Sequence, residues 1–162
     1  MGDYVIVTDS SADLTPALVE KTGVEVFPLS FTIKDKTYHN YPDDRDMPAK
    51  EFYARIRAGE QATTAALNVA DLTQGLRPIL QSGKDVLILS FSSGLSATYQ
   101  SSVIAAAELQ EQFPERKIYA VDTLAASLGQ GMLVCLAAEE KAKGKSIEEL
   151  RDWVEEQKFH LC

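Results

Sequence analysis

The chain has 162 residues, 45% of them hydrophobic, which is enough for one domain with a real core and too few for two. Its 16 basic and 24 acidic residues leave a net charge of −8 and a sequence pI near 4.8. That balance excludes nucleic acid as an expected partner, because phosphate binding needs a basic stripe and Lys21, Arg45, Arg55, Arg57 and Arg77 are scattered.

Met1-Gly2-Asp3 is acidic and runs straight into the apolar stretch Tyr4 to Thr8, which reads as a buried strand. No signal-peptide pattern opens the chain and no segment reaches the ~18 apolar residues of a membrane span, so a cytoplasmic protein without stable membrane insertion is expected. Thr15, with Pro16 at the first helical position, caps a helix that Gly23 ends. Val24 to Ile33 alternates well enough for a second strand, and Lys34-Asp-Lys-Thr37 turns it into a third stretch ending near Tyr41. Asp46 is placed to cap a helix from Met47 to Ala58, with Phe52, Tyr53 and Ile56 on one face and Gly59 as its stop.

Gln61 to Asn68 reads as a loop containing Thr63-Thr64, and Asn68 caps a helix through Leu80 that Ser82-Gly83 closes. Asp85 to Ser90 is the fourth strand, followed by the Ser92 to Ser96 loop and a helix from about Ala97 to Gln112. The fifth strand, Lys117 to Val121, leads to a helix from Leu128 to Lys143, where Lys141, Lys143 and Lys145 suit the dipole of the helix end. Ser146 and Glu149 form a capping box for a last helix ending near Gln157. Phe159-His-Leu-Cys162 reads as a strand just beginning, so residues 1–162 are expected to be one domain of a longer protein. Strands alternating with helices, without internal repeats, specify an α/β fold with a mainly parallel sheet.

One pattern occurs three times: an apolar run stops at a hydroxyl-rich cluster and a helix follows. The instances are Tyr4-Val-Ile-Val-Thr-Asp-Ser-Ser-Ala-Asp13, Val86-Leu-Ile-Leu-Ser-Phe-Ser-Ser-Gly-Leu-Ser96 and Ile118-Tyr-Ala-Val-Asp-Thr123. Ligands of parallel sheets bind at the carboxyl ends of the strands, and hydroxyls beside helix N-termini are neutral donors where negative charge is favoured. A site for a small acidic group, carboxylate or phosphate, is therefore expected. Three serines around Gly94 exceed what one helix cap needs, so ligand contact is favoured there over capping alone. Asp9 and Asp122 read as braces of their loops rather than as nucleophiles, since a D-x-D pair would need a carboxylate where Ser11 stands.

Other chemistries lack their residues. The serine loop has neither G-x-G-x-x-G nor a GK[ST] ending, and G-x-S-x-G is absent. His39 and His160 are the only histidines, Cys135 lies inside an apolar helix and Cys162 is the last residue, so no metal site, disulfide framework or triad is indicated and no catalytic residue is assigned.

Five segments together give the chain a resemblance to the N-terminal domain of the DegV family, the bacterial fatty-acid-binding proteins. They are Thr8-Asp-Ser-Ser-Ala-Asp-Leu14, Val26-Phe-Pro-Leu29, Thr63-Thr64, Ser92-Ser-Gly-Leu-Ser-Ala-Thr-Tyr-Gln-Ser101 and Val121-Asp-Thr-Leu-Ala-Ala-Ser127, in the family's order and spacing. The resemblance implies a three-layer α/β/α domain and a long-chain fatty acid as ligand, with no cofactor. It also implies that Thr63, Thr64, Ser93 and Ser96 meet the carboxylate, that a second domain after residue 162 helps enclose the acyl chain, and that a fatty acid kinase is the partner. The family's usual Thr-Ser-Gln-Pro-Ser reads Thr63-Thr-Ala-Ala-Leu67 here, which keeps the first two hydroxyls and loses the Gln and Pro. A chain without its second domain is expected to expose an apolar groove, to bind fatty acid poorly and to cover the groove by self-association or crystal contacts.

A tail of about 15 methylenes would contribute up to ~12 kcal/mol of burial before association costs. Each hydrogen bond to a charged headgroup adds about 1.5–3 kcal/mol. The tail would set affinity and the hydroxyls orientation. The competing expectation is an enzyme acting on a small phosphorylated or carboxylated metabolite through Asp9 and Ser93.

Overall fold

Three apolar runs lie side by side with their residues buried or half-buried, and a short, more exposed edge strand joins them. The computed structural model describes residues 3–161, so Met1, Gly2 and Cys162 lie outside the described residues. Strands β1 (Tyr4–Asp9), β2 (Glu25–Phe27), β6 (Asp85–Ser90) and β7 (Ile118–Asp122) form one parallel sheet in the order β2-β1-β6-β7. Between them run β3 (Ser30–Ile33), β4 (Lys36–His39) and β5 (Ala62–Ala65), which make a second, antiparallel sheet in the order β4-β3-β5. The helices are α1 (Pro16–Thr22), α2 (Ala49–Arg57), α3 (Val69–Gln81), α4 (Thr98–Gln112), α5 (Ser127–Ala142) and α6 (Ile147–Gln157).

Strand alternation divides the core into two layers. Tyr4, Ile6, Leu87 and Leu89 pack against Leu133, Val134 and Ala137 of α5 and against Leu150 and Val154 of α6. Val5, Val7, Val86 and Ile88 pack on the other face against Leu72, Leu76 and Ile79 of α3 and Ala105 and Leu109 of α4. The domain is thus α/β/α in three layers, as expected. A third, smaller core lies under the antiparallel sheet, where Ile33, Tyr38 and Met47 are buried with Phe31 and Phe52 against them.

Local signals set the helix ends. Thr15 accepts from Leu18 N–H with Pro16 behind it, and Asn68 accepts from Asp71 N–H. Ser146 and Glu149 exchange both bonds of a capping box.

The structure corrects four expectations. Val24 to Ile33 is not one strand: β2 ends at Phe27, and after Pro28-Leu29 the chain enters the other sheet as β3. Pro28 has no N–H with which to continue a ladder. Residues 61–68 are not a loop throughout, because Ala62 to Ala65 pair with Ile33 to Ser30 as β5. Asp46 does not cap α2; its carboxylate accepts from the His39 N–H at 2.8 Å, while Asp44 accepts from Ala49 N–H. Finally, Lys158 to His160 form a turn rather than the start of a strand.

Candidate functional site

The carboxyl ends of β1, β6 and β7 converge on a tightly braced loop. The apolar run of β6 ends at Ser90, and the residues from Phe91 to Ala97 lead into α4. Two strand-ending carboxylates hold this loop by its backbone. Asp9 Oδ2 accepts from Phe91 N–H at 2.9 Å, and Asp122 Oδ1 accepts from Ser93 N–H at 3.2 Å and from Leu124 N–H at 3.0 Å. Both aspartates are buried and serve as braces, as their sequence setting indicated.

The remaining loop donors are also used internally. Ser92 N–H donates to the Ala125 carbonyl, Gly94 N–H to Ser92 Oγ, and Leu95 and Ser96 N–H to the Ser92 carbonyl. Every backbone N–H from Phe91 through Ser96 therefore has an acceptor within the protein. A phosphate cradle needs free N–H groups aimed at the ligand, and this loop offers hydroxyls instead. Ser96 Oγ lies 3.0 Å from Thr98 Oγ1 and accepts from Thr98 N–H, so it also braces the start of α4.

Beneath the loop, Asp9 has a second set of partners. Its Oδ1 accepts from the N–H and hydroxyl of Ser11, and the fully buried Gln130 of α5 donates to its Oδ2 at 3.3 Å and to Thr8 Oγ1 at 3.1 Å. Gln130 Oε1 lies 2.8 Å from Ser11 Oγ and shares that hydroxyl's single proton with Asp9 Oδ1. Gly131 brings α5 this close, since a Cβ there would lie 2.4 Å from the Ala12 carbonyl oxygen. The same turn reaches the antiparallel sheet through Ser10, whose hydroxyl accepts from Leu29 N–H.

A cavity of about 520 Å³ opens where the antiparallel sheet and α2 meet this edge. Such a volume lies within the usual range for small-molecule sites. Its apolar walls come from Leu29, Phe31, Met47, Phe52, Phe91 and Leu95. Phe31 stacks on Tyr38 with ring centroids 5.4 Å apart and meets the edge of Phe52 at 5.0 Å, which fixes that wall. Ser30, Thr64, Ser96, Asn40, Asp13 and Asp44 add polar groups to the lining, and no lysine, arginine or histidine lines it among the described residues. The segment after β4 is held at its end by Asp46, whose carboxyl lies below the ordinary carboxylate range. The main cause is the His39 N–H, followed by the His39 ring.

The four candidate hydroxyls separate into two groups. Thr64 and Ser96 line the same cavity. Thr63 does not: on β5 it pairs with Thr32, while Thr64 pairs with Phe31, and adjacent residues of a strand face opposite ways. Thr63 thus belongs to the antiparallel sheet and not to the carboxyl edge of the parallel sheet where the serine loop lies. Ser93 is exposed and outside the lining, with its N–H committed to Asp122. Sequence reasoning missed the aromatic wall of Phe31 and Phe52, whose only signal was the helical spacing of Phe52, Tyr53 and Ile56. It also missed Gln130, a polar residue between two glycines in an otherwise apolar helix.

Among the described residues no cluster of His, Cys, Asp and Glu suits a metal ion, and no helix is long and apolar enough to cross a membrane.

Comparison with known proteins adds to this geometry. A family model described as "Uncharacterised protein, DegV family" matches residues 3–162. A DegV domain-containing protein of Clostridium perfringens is 41% identical over 162 residues, covering 100% of this chain and 55% of the relative. One from Lactococcus lactis is 35% identical over 146 residues, covering 90% of this chain and 50% of the relative. The chain spans about half the length of the curated relatives it matches. Among solved structures, a Thermus thermophilus DegV family protein reported for its fatty acid binding superposes with a TM-score of 0.82 at 34% identity, over 98% of this chain and 54% of that one. DegV of Bacillus subtilis, reported as a fatty acid binding protein, gives a TM-score of 0.83 at 26% identity, over 98% and 54%.

Proposed function

The chain belongs to the DegV family, and from that membership we propose that it binds a long-chain fatty acid in the cavity between the antiparallel sheet and the carboxyl edge of the parallel sheet. The acyl chain lies against Phe31, Phe52, Phe91 and Leu95, and the carboxylate is held by the hydroxyls of Thr64 and Ser96. Thr63 and Ser93, which stand outside the cavity, are assigned no contact with the headgroup. The observation that carries the reading is the pairing of an aromatic wall with three lining Ser/Thr residues, Ser30, Thr64 and Ser96, beside a serine loop whose own N–H groups are spent. Hydroxyl donors orient a carboxylate, while burial of the tail supplies most of the affinity.

The protein acts in this proposal as a non-catalytic carrier that presents the carboxylate to a fatty acid kinase. In relatives about twice as long, the other half is available to close the cavity over the acyl chain. Without such a cover Leu95 and Leu128 stand 67% and 74% exposed, and self-association of the present chain belongs to the same proposal. The alternative, an enzyme acting on a small phosphorylated or carboxylated metabolite, loses support on two counts. Asp9 is buried with its oxygens hydrogen-bonded, and the serine loop has no free N–H between Phe91 and Ser96 to hold a phosphate.

The test is to denature the purified protein and analyse its organic extract by mass spectrometry. A stoichiometric C14–C18 acid is expected; a polar metabolite would overturn the carrier reading in favour of the enzyme.

A further inference from the structure

We infer that Gln130 is a positioning residue for the headgroup site, acting through Asp9 on the backbone of Phe91; the inference rests on the fatty-acid reading. Gln130 belongs to α5, which lies against the face of the parallel sheet, and contributes nothing to the lining of the cavity. The next turns of its own helix are apolar, with Leu133, Val134 and Ala137 fully buried. A leucine or methionine would suit that helix better unless the amide has a specific task.

The task follows from the partners. Asp9 is a buried carboxylate with no salt-bridge partner among the described residues, so hydrogen-bond donors alone compensate its charge. Oδ1 takes Ser11 N–H and shares the single Ser11 hydroxyl proton with Gln130 Oε1, and Oδ2 takes one donor from Phe91 N–H and one from Gln130 Nε2. The amide has both a donor and an acceptor, so it also satisfies Thr8 Oγ1 and Ser11 Oγ and fixes the plane of the carboxylate. That plane decides where Phe91 N–H sits. Phe91 and Ser96 lie on the same short loop and both line the cavity.

A merely structural amide and a positioning amide differ in one respect that can be measured. Gln130→Glu keeps the shape but replaces the donor with a group that donates only when protonated. Two carboxyls this close cannot both ionise without a large shift, so one proton is shared at acid pH and repulsion sets in as it leaves. The other carboxyls on the packed turns are Asp13, bonded to Ser127 Oγ, and Asp122 at the end of β7. The unsubstituted protein reports their background, together with that of the ligand's own carboxyl.

The experiment follows the Phe91 amide resonance and palmitate affinity of the unsubstituted chain and of Gln130→Glu between about pH 5 and about pH 8. Relative to the unsubstituted chain, Gln130→Glu should bind palmitate about tenfold more weakly at the alkaline end. The difference should close at the acid end, and the Phe91 amide should shift with the same midpoint. Gln130→Met, which has no donor at any pH, should displace the Phe91 amide and weaken binding without this pH dependence. A Phe91 amide that moves in neither variant, with palmitate still bound, overturns the role of Gln130 and leaves the fatty-acid reading intact. A Phe91 amide that titrates in a chain that never binds palmitate overturns the headgroup role together with that reading.

Discussion

Thr63 and Thr64 are neighbours on β5 yet serve opposite faces of the antiparallel sheet: Thr64 pairs with Phe31 beside the cavity, and Thr63 with Thr32, whose hydroxyl is bonded to Thr37. The two threonines should therefore respond differently to loss of the hydroxyl. Thr64→Val is expected to weaken palmitate binding about tenfold. Thr63→Val should stay within about twofold, as an exposed substitution off the site does. Parallel calorimetric titrations check this, and equal losses would return Thr63 to the site.

Removing both headgroup hydroxyls separates holding the ligand from presenting it. The double variant Ser96→Ala with Thr64→Val should lose more acyl-phosphate formation by a fatty acid kinase than bound lipid per protein. The tail still supplies most of the burial energy, whereas the misplaced carboxylate is no longer in line for reaction. Equal losses in both would contradict that division.

Gly131 is expected to tolerate no side chain, because α5 approaches the Ala12 carbonyl too closely. Gly131→Ala should destabilise the fold by about 1–3 kcal/mol through overpacking, read as a lower urea midpoint. Gly129→Ala, whose nearest contact is an ordinary 3.6 Å to Ala125, is the control and should not lose comparable stability.

The tether between Asp46 and His39 gives the rim of the cavity an acid limit. The Asp46 carboxyl is depressed, first by the His39 N–H, so its contribution is complete above the unfolded carboxylate value of about 4 and is lost as pH falls through the lower folded value. The His39 amide resonance should accordingly show a transition at strongly acid pH. In Asp46→Asn that acid transition should disappear, and its persistence would assign the titration to another group.

Much of the architecture was legible where the signals are local. Thr15-Pro16, Asn68 and Ser146 with Glu149 announce helix starts because each cap satisfies backbone donors within a few residues. The continuous apolar runs of β1, β6 and β7 announce strands buried on both faces. What stayed hidden depends on distant partners. Ala62-Thr-Thr-Ala65 is short, exposed and without hydrophobic alternation, and its pairing with β3 is what defines it as a strand, so neither the second sheet nor the opposite facing of Thr63 and Thr64 could be read. That Thr64 and Ser96 belong with the hydroxyl-bearing loops was legible, and both line the cavity. The aromatic wall was not, because Phe31 and Phe52 look like core until their exposed side is known.

The most direct measurement is the nuclear magnetic resonance spectrum of palmitate labelled at its carboxyl carbon and bound to the protein. The proposed geometry predicts one bound carboxyl resonance that moves in both Thr64→Val and Ser96→Ala and is unchanged in Thr63→Val. A bound resonance indifferent to Thr64 and Ser96 would contradict it and place the headgroup elsewhere in the molecule.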